Sequence, residues 1–192
     1  MKFSLSREAF LKPLQLVVGV VERRQTLPIL SNVLLSLENG RLSMTGTDLE
    51  VEVIGFSDSG PEGEDGEVTV SARKLVDICR SLPDGAQINF SSGEGKATLK
   101  SGRSKFTLAT LPANEFPSVD EGEKTIEFVV KGSVLKGLIE ATSFAMAQQD
   151  VRYYLNGMLW ELTNNNLRAV ATDGHRMALC DGACDVSVEE TI

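Results

Sequence analysis

The sequence contains few of the residues from which metal and nucleophilic sites are commonly built. It has three cysteines and one histidine in 192 residues, and their spacing matches no common zinc pattern. No glycine-rich segment has the form of a phosphate-binding loop, so nucleotide binding through such motifs is unsupported. An odd number of cysteines without close pairs is typical of a reducing compartment. We therefore expect no disulfide framework, no metal and no cofactor.

Long hydrophobic runs are absent as well. No stretch of about 18 apolar residues could span a bilayer, and the first residues lack the apolar segment of a signal peptide. The hydrophobic content of 42% and charged content of 24% are those of an ordinary soluble protein. We expect a cytoplasmic protein without a membrane partner.

Charge of one sign predominates, but it is unevenly distributed. The net charge is -8, and acidic residues without any basic neighbour fill much of 57–67 and 181–192. Basic residues predominate in 1–30 and 96–105. Because the local field decides what binds to each face, the net charge does not exclude a nucleic acid partner.

The chain repeats itself over a long distance. Residues 6–53 align with 131–179 at an offset of 124 to 125 positions, which places Thr47 and Asp48 on Thr172 and Asp173. A repeat of this length indicates whole domains. We predict a complete first domain at 1–118, a linker at 119–125, and the N-terminal half of a second domain at 126–192. The chain is thus interpreted as a fragment.

Hydrophobic periodicity predicts an α+β fold. Within 1–118 the pattern of a strand, a helix and three further strands occurs twice, with Ser6 and Ser71 as helix N-caps. The Asn39-Gly40 pair predicts a hairpin. The alternation at 49–56 and the apolar residues at 175–180 predict strands. The expected domain has internal pseudo-twofold symmetry, with two β-sheets carrying two helices on one face.

Asp48 and Asp173 hold equivalent places after a strand. Aspartate at such a position typically accepts backbone N–H groups in a tight turn, and we favour this role over a pair of catalytic carboxylates. A hydrolase that uses Asp173 and His175 remains an alternative, although the sequence offers no convincing nucleophile.

Two polar clusters follow the equivalent helices of the repeat, at 22–25 and 148–154. Arginines contact phosphates, and tyrosines and amides can stack on or bond to single-stranded bases. The alternative is a solvated loop with Tyr153 or Tyr154 in the core. The same choice between phosphate contact and simple solvation applies to the basic residues of the second helix, Arg73, Lys74 and Arg80.

Several long motifs, in the order in which they occur, resemble those of one known family. The segments MKFSLSREAFLKPLQ, SARKLVDICRSLP, SGRSKFTLATLPANEFP, QQDVRYYLNGML and VATDGHRMAL are similar to those of the bacterial DNA polymerase III beta subunit, the sliding clamp. The resemblance implies the DNA-clamp fold, with three domains per chain. It further implies a non-catalytic processivity factor in which two full-length chains close head to tail around duplex DNA and tether polymerase, clamp loader and other replication and repair proteins.

The resemblance also implies roles for individual residues. Arg24 and Arg73 match duplex-contact positions, and Gln149, Tyr153 and Tyr154 match positions that touch single-stranded template. The near side of a pocket for partner peptides would consist of Leu155, Thr172, Gly174, His175, Arg176 and Met177. The subunit interface would include Lys74, Ile78, Arg103, Lys105, Phe106 and Leu108.

Two consequences follow from these matches. Met177 stands where leucine is usual in the family, which keeps an apolar wall. If the chain is a fragment, it is expected not to close the usual ring. A peptide-binding adaptor of the same fold that does not encircle DNA is the alternative function.

Overall fold

The computed structural model describes residues 1–21, 27–57, 63–117 and 127–186. The chain forms two compact units, Met1–Glu121 and Gly122–Ile192. The candidate residues of the first cluster, 22–25 with Arg24, lie outside the described residues. Each unit is described by itself below.

Besides short 3₁₀ turns at Val18–Val20, Pro28–Ser31 and Ala113–Glu115, the first unit contains two α-helices and nine strands among its described residues. In chain order they are β1 (Lys2–Ser6), α1 (Arg7–Val17), β2 (Asn32–Glu38), β3 (Arg41–Thr47), β4 (Glu52–Phe56), β5 (Gly63–Glu64), β6 (Gly66–Ser71), α2 (Ala72–Ser81), β7 (Gln87–Gly93), β8 (Lys96–Ser101) and β9 (Ser104–Leu111). The strand, helix and three strands predicted twice are therefore present, and the α+β class is confirmed. The short β5 was not predicted.

The strands lie in the order β4-β3-β2-β6-β9-β8-β7-β1-β5. The two sheets expected from the sequence thus join side by side, because β6 pairs with the end of β9 through Thr69 with Leu111 and Val70 with Thr110. The rest of β9 pairs with β8. One long strand therefore belongs to both halves.

Local capping and turn chemistry explain several element boundaries. The Ser6 hydroxyl accepts a hydrogen bond from the Ala9 amide at 3.3 Å, so the predicted N-cap of α1 is confirmed. Ser71 precedes α2 without such a bond. Asn39 and Gly40 have φ angles of 51° and 76°, as a two-residue hairpin turn between β2 and β3 requires.

The core of the first unit lies between the helices and the sheet. The apolar faces of α1 and α2 are fully buried, and the helices are joined by Arg7, whose Nε donates to the Cys79 carbonyl oxygen at 2.8 Å. Arg7 also pairs with Asp84. The largest fully buried side chains of this core are Phe10, Phe90, Leu14, Leu35, Leu37, Leu42, Met44, Leu75, Ile88, Leu99 and Val17.

The second unit has a smaller core. Its described residues form α3 (Gly132–Thr142), β10 (Leu159–Thr163), β11 (Asn166–Thr172) and β12 (Met177–Ala183), with the strands in that order in one antiparallel sheet. The helix packs close to β12 at Gly182, where an added Cβ would lie 2.7 Å from Val134. The buried residues that form its hydrophobic core cluster are Leu138, Leu162, Leu167, Ala169 and Cys184.

Two strands begin later than the sequence predicted. The strand expected at 49–56 begins at Glu52, and that expected at 175–180 begins at Met177. In both cases the preceding aspartate bonds to the backbone two and three residues ahead. These bonds hold a tight turn where the apolar alternation alone suggested a strand.

No helix among the described residues is long and apolar enough to cross a membrane.

Candidate nucleic-acid and peptide interfaces

Helix α2 presents a basic face to solvent. Leu75, Val76 and Cys79 point into the core, so Arg73, Lys74 and Arg80 are left on the exposed side. Burial raises the pKa of the Cys79 thiol to about 12, which keeps it neutral and unreactive. The exposed side offers cationic groups of the kind that contact phosphates without reading sequence.

The loop that follows α3 exposes two aromatic rings. Tyr153 and Tyr154 are 82% and 67% exposed, and their rings meet edge to face with centroids 6.0 Å apart. The alternative in which one of them fills the core is therefore wrong. Exposed tyrosines of this kind can stack on unpaired bases.

The same loop is held by a network that the sequence did not predict. The Arg152 guanidinium donates to both carboxylate oxygens of Asp150, at 3.1 Å from Nε and 2.9 Å from a terminal nitrogen. The Asp150 amide donates to the Asn156 side-chain oxygen at 3.0 Å. The bonds from Arg152, first among them that of the guanidinium, lower the pKa of Asp150 to about 2. Asp150 is therefore ionised at neutral pH.

This network also reaches the turn between β11 and β12. A Cβ added to Gly174 would lie 3.2 Å from both terminal nitrogens of Arg152. Gly174 has a φ of 85°, a left-handed conformation that favours glycine. Glycine at this position thus satisfies the backbone conformation and leaves room for the arginine.

Asp173 organises that turn. One of its carboxylate oxygens accepts the amides of His175 and Arg176, both at 2.9 Å, and the other accepts from the Arg176 guanidinium at 3.0 Å. The backbone bonds come first among the causes that lower its pKa to about 2. The predicted role of Asp173 as a turn acceptor is confirmed, and the ionised carboxylate is fully engaged in the turn.

The expected peptide-pocket residues lie on this turn and at the end of the preceding loop. Leu155 and Thr172 are partly buried, while Met177 is 68% exposed. The guanidinium of Arg176 lies 5.7 Å from the centre of the Phe144 ring, a favourable cation–π distance. The remaining residues of the group, Gly174 and His175, are exposed.

One cavity brings together residues expected to have different roles. It has a volume of about 490 Å³ and is lined by Gln149 of the expected template group and by His175 and Arg176 of the peptide group. The loop and the turn therefore form one continuous polar surface within the second unit.

The expected interface residues gather near β9 in the first unit. Between 104 and 109 this strand pairs with β8 on one side, and no described strand pairs with its other edge. Phe106 and Leu108 pack against the core, whereas Arg103 and Lys105 are exposed. A cavity of about 580 Å³ is lined by Phe106 and Arg103 and by Ser81 at the end of α2. Lys74 and Ile78 lie on α2 itself.

Metal-binding chemistry finds no support in the described parts of the chain. No three His, Cys, Asp or Glu side chains there come together as a possible metal site, and Cys79, Cys180 and Cys184 are free thiols.

Comparison with known families decides what these units are. Residues 1–120 match the family described as DNA polymerase III beta subunit, N-terminal domain, and residues 129–192 match the central domain of the same subunit. The chain belongs to the DNA polymerase III beta subunit family. The resemblance inferred from the sequence motifs is thereby confirmed.

Named relatives agree with this assignment. The chain is 60% identical over 190 residues to the beta sliding clamp of Pseudomonas putida, covering 99% of this chain and 52% of the relative. It is 52% identical to that of Escherichia coli (strain K12), covering 94% and 49%. The chain spans about half the length of the curated relatives it matches.

Solved structures show the same fold. The sliding clamp of Pseudomonas aeruginosa bound to griselimycin aligns with a TM-score of 0.96 and 57% identity, over 100% of this chain and 52% of that chain. The beta subunit of Caulobacter crescentus aligns with a TM-score of 0.88 and 43% identity, over 96% and 52%. The predicted DNA-clamp fold is confirmed.

Proposed function

We propose that this chain is part of a DNA polymerase processivity factor, a sliding clamp that encircles duplex DNA and tethers replication and repair proteins to it. The observation that carries this proposal is the alignment of the chain, over its full length, with a solved sliding clamp at a TM-score of 0.96. The proposed domains are 1–118 and the first half of a second at 126–192, joined by a linker at 119–125.

Duplex contact is assigned to Arg24 and Arg73. The exposed basic side of α2 supports the second assignment, because it supplies a phosphate field without base-specific contacts. A closed ring keeps hold of DNA by its topology, so that each contact can be weak enough for sliding. Processivity then arises from linkage and needs no tight binding.

Contact with single-stranded template is assigned to Gln149, Tyr153 and Tyr154. The high exposure of both rings supports this assignment, since a structural tyrosine would be expected to bury its ring. The bonds between Asp150, Arg152 and Asn156 fix the loop before any strand binds, which lowers the entropy that binding costs.

The peptide pocket is assigned to Leu155, Thr172, Gly174, His175, Arg176 and Met177. An exposed methionine beside partly buried apolar and polar groups is an adaptable surface for short motifs. The partners proposed for it are the replicative polymerase, the clamp loader and other proteins with clamp-binding linear motifs.

The subunit interface is assigned to Lys74, Ile78, Arg103, Lys105, Phe106 and Leu108. The open edge of β9 supports it, because unpaired backbone groups along a strand can pair with a strand of another chain. Two full-length chains would close into a homodimeric ring in the cytoplasm.

No catalytic role is proposed. The carboxylate of Asp173 is engaged by backbone amides and by Arg176. It is therefore poorly placed to activate His175 for hydrolysis. If His175→Ala abolished a hydrolytic activity of the full-length protein, the non-catalytic assignment would be wrong.

The salt dependence of DNA binding tests the duplex contacts. We expect Arg73→Ala and Arg24→Ala in the full-length protein each to reduce the slope of log K against log salt by about one. Arg41→Ala is the matched control, because Arg41 lies over the Phe56 ring on the sheet. An unchanged slope in either variant would remove that arginine from the site.

Peptide binding measured beside DNA retention separates the clamp from the adaptor alternative. A clamp binds clamp-motif peptides and stays on closed circular DNA, whereas an adaptor does only the first. No observation on the described residues favours the adaptor.

A further inference from the structure

The outward face of the sheet in the second unit carries an ordered arrangement of side chains. Leu159, Val170 and Leu179 lie opposite one another across β10, β11 and β12. We call these three residues the apolar row. Two positions further along each strand, Glu161, Arg168 and Asp181 form a second row. We call it the charged row.

The apolar row is unusually open to solvent. Leu159 and Leu179 are 63% and 50% exposed. On the side of the apolar row that faces away from the charged row lies the pair formed by Thr172 and Met177. Both are residues of the proposed peptide pocket. Exposed apolar side chains that adjoin one another are characteristic of interaction sites.

The charged row has an excess of negative charge. Arg168 donates to Asp181 at 2.8 Å and to Glu161 at 3.3 Å, so one guanidinium neutralises one of two carboxylates. The row therefore keeps a net charge of minus one, which favours a cation on the adjoining ligand.

From this geometry we infer that the peptide-binding surface extends beyond the pocket, over the apolar row and as far as the charged row. Its occupant is an extended partner segment continuous with the pocket-bound motif. That segment places one apolar side chain on Leu159, Val170 and Leu179, and then a lysine or arginine beside Glu161 and Asp181. The inference rests on the proposed function, since it assumes that the pocket is used.

The spacing of the rows fits an extended peptide. Rows that are two residues apart along a strand are separated by about 6.8 Å. In an extended peptide every second side chain points in the same direction, and these side chains are separated by the same distance as the two rows. A segment of four residues beyond the motif, with an apolar residue second and a basic residue fourth, therefore matches both rows.

The first unit offers a matched comparison. At the repeat offset, Leu34, Thr45 and Ile54 occupy the places of the apolar row and are paired in the same way. Ile54 is 47% exposed, close to the value for Leu179. Here the neighbouring row is Ser36, Ser43 and Phe56, which carries no charge.

The test uses the full-length protein that contains this chain and two kinds of synthetic peptide, with binding followed by methyl NMR and fluorescence anisotropy. The short probe carries only the clamp-binding motif of a replicative polymerase. The long probe adds Ser-Leu-Ser-Lys at its carboxyl end or Lys-Ser-Leu-Ser at its amino end. We expect one long probe to bind about tenfold more tightly than the short one and to shift the methyl signals of Leu159, Val170 and Leu179.

Substitutions assign the gain to these rows. Leu179→Ser should remove the advantage of the long probe and leave the affinity of the short probe unchanged. Ile54→Ser should leave both affinities unchanged. Thermal unfolding of each variant confirms that the exposed substitution leaves the fold intact.

The outcomes separate the inference from the function on which it rests. Equal affinity of all probes, or an advantage that survives Leu179→Ser, would overturn the extended surface alone. If no probe shifted any signal of the second unit, the peptide pocket would be overturned and the inference with it.

Discussion

The turns at 47–52 and 172–177 are two copies of one scaffold. In each, a threonine hydroxyl accepts the amide two residues ahead, at 3.0 Å for Thr47 and 3.1 Å for Thr172. In each, one aspartate oxygen accepts the amides two and three residues ahead. The residue after the aspartate has a left-handed φ, 81° in Leu49 and 85° in Gly174.

The two turns differ in the side chains at their remaining positions. The first turn holds a half-exposed leucine in a conformation that strains any residue with a Cβ. The second places glycine there, so that the Arg152 guanidinium can lie against the turn. It also adds Arg176, which pairs with Asp173. The side-chain bonds that both turns share come from threonine and aspartate, and a backbone bond from the aspartate amide to the residue three positions ahead is also common to both. The side chains at the other positions are available for binding.

The largest difference between the two turns is expected when the residues at positions 49 and 174 are exchanged. We expect Gly174→Leu to fold, since Leu49 adopts the same φ, but to lose about 1 kcal/mol of stability. The new side chain would displace Arg152 and change the shape of the turn at an assigned pocket position, so we expect the full-length protein to bind peptide at least about tenfold more weakly. Unfolding curves and fluorescence anisotropy measure the two effects.

The reciprocal change, Leu49→Gly, is the control. It should relieve the strain in the first turn and leave peptide affinity unchanged. If Gly174→Leu bound peptide normally, the position of Arg152 against this turn would have no bearing on peptide binding.

A smaller difference between the two turns is expected in the way acid lowers stability. The pKa of Asp173 is lowered from 3.8 to about 2, so its folded-state value lies below the unfolded one. Its contribution to stability is present above pH 3.8 and is lost as the pH falls toward 2. The pKa of Asp48 is also lowered, chiefly by the Val51 and Glu50 amides, but no arginine adds to it.

We therefore expect Asp173→Asn to flatten the decline in stability between about pH 4 and pH 2 more than Asp48→Asn does. Thermal unfolding across this range measures the difference. Equal flattening by both variants would show that the Arg176 ion pair adds nothing to the turn.

The smallest effect is expected from Arg176→Val, which gives the second turn the residue found at Val51. The ion pair with Asp173 is largely exposed on the arginine side, and such pairs contribute little to stability. The midpoint of unfolding should change by no more than about one degree. Val51→Arg is the matching control, and a drop of several degrees in Arg176→Val would contradict this expectation.

Local chemistry made much of the fold predictable. The Asn39-Gly40 hairpin, the Ser6 cap and the two aspartate turns each depend on neighbouring residues and were recognised from the sequence. The start of β4 at Glu52 was misjudged because the alternation at 49–51 resembles a strand while the Asp48 carboxylate holds a turn. Side-chain bonds to the backbone override hydrophobic pattern over such short distances.

Contacts between distant residues were not predictable in this way. The joining of the sheets through Val70 and Thr110 depends on pairing across some forty residues. The approach of Arg152 to Gly174 likewise depends on how a loop and a turn meet. The one local signal for that loop was the Asp150-x-Arg152 spacing, which allows a carboxylate and a guanidinium to pair.

Release of loaded protein from DNA by a single cut tests the central claim most directly. The full-length protein that contains this chain is loaded onto a nicked circular plasmid, the complex is isolated, and the DNA is then cut at one site. If the protein confines duplex DNA within a ring, it remains on the circle and leaves when the circle is made linear. Equal retention on circular and linear DNA would contradict the clamp account.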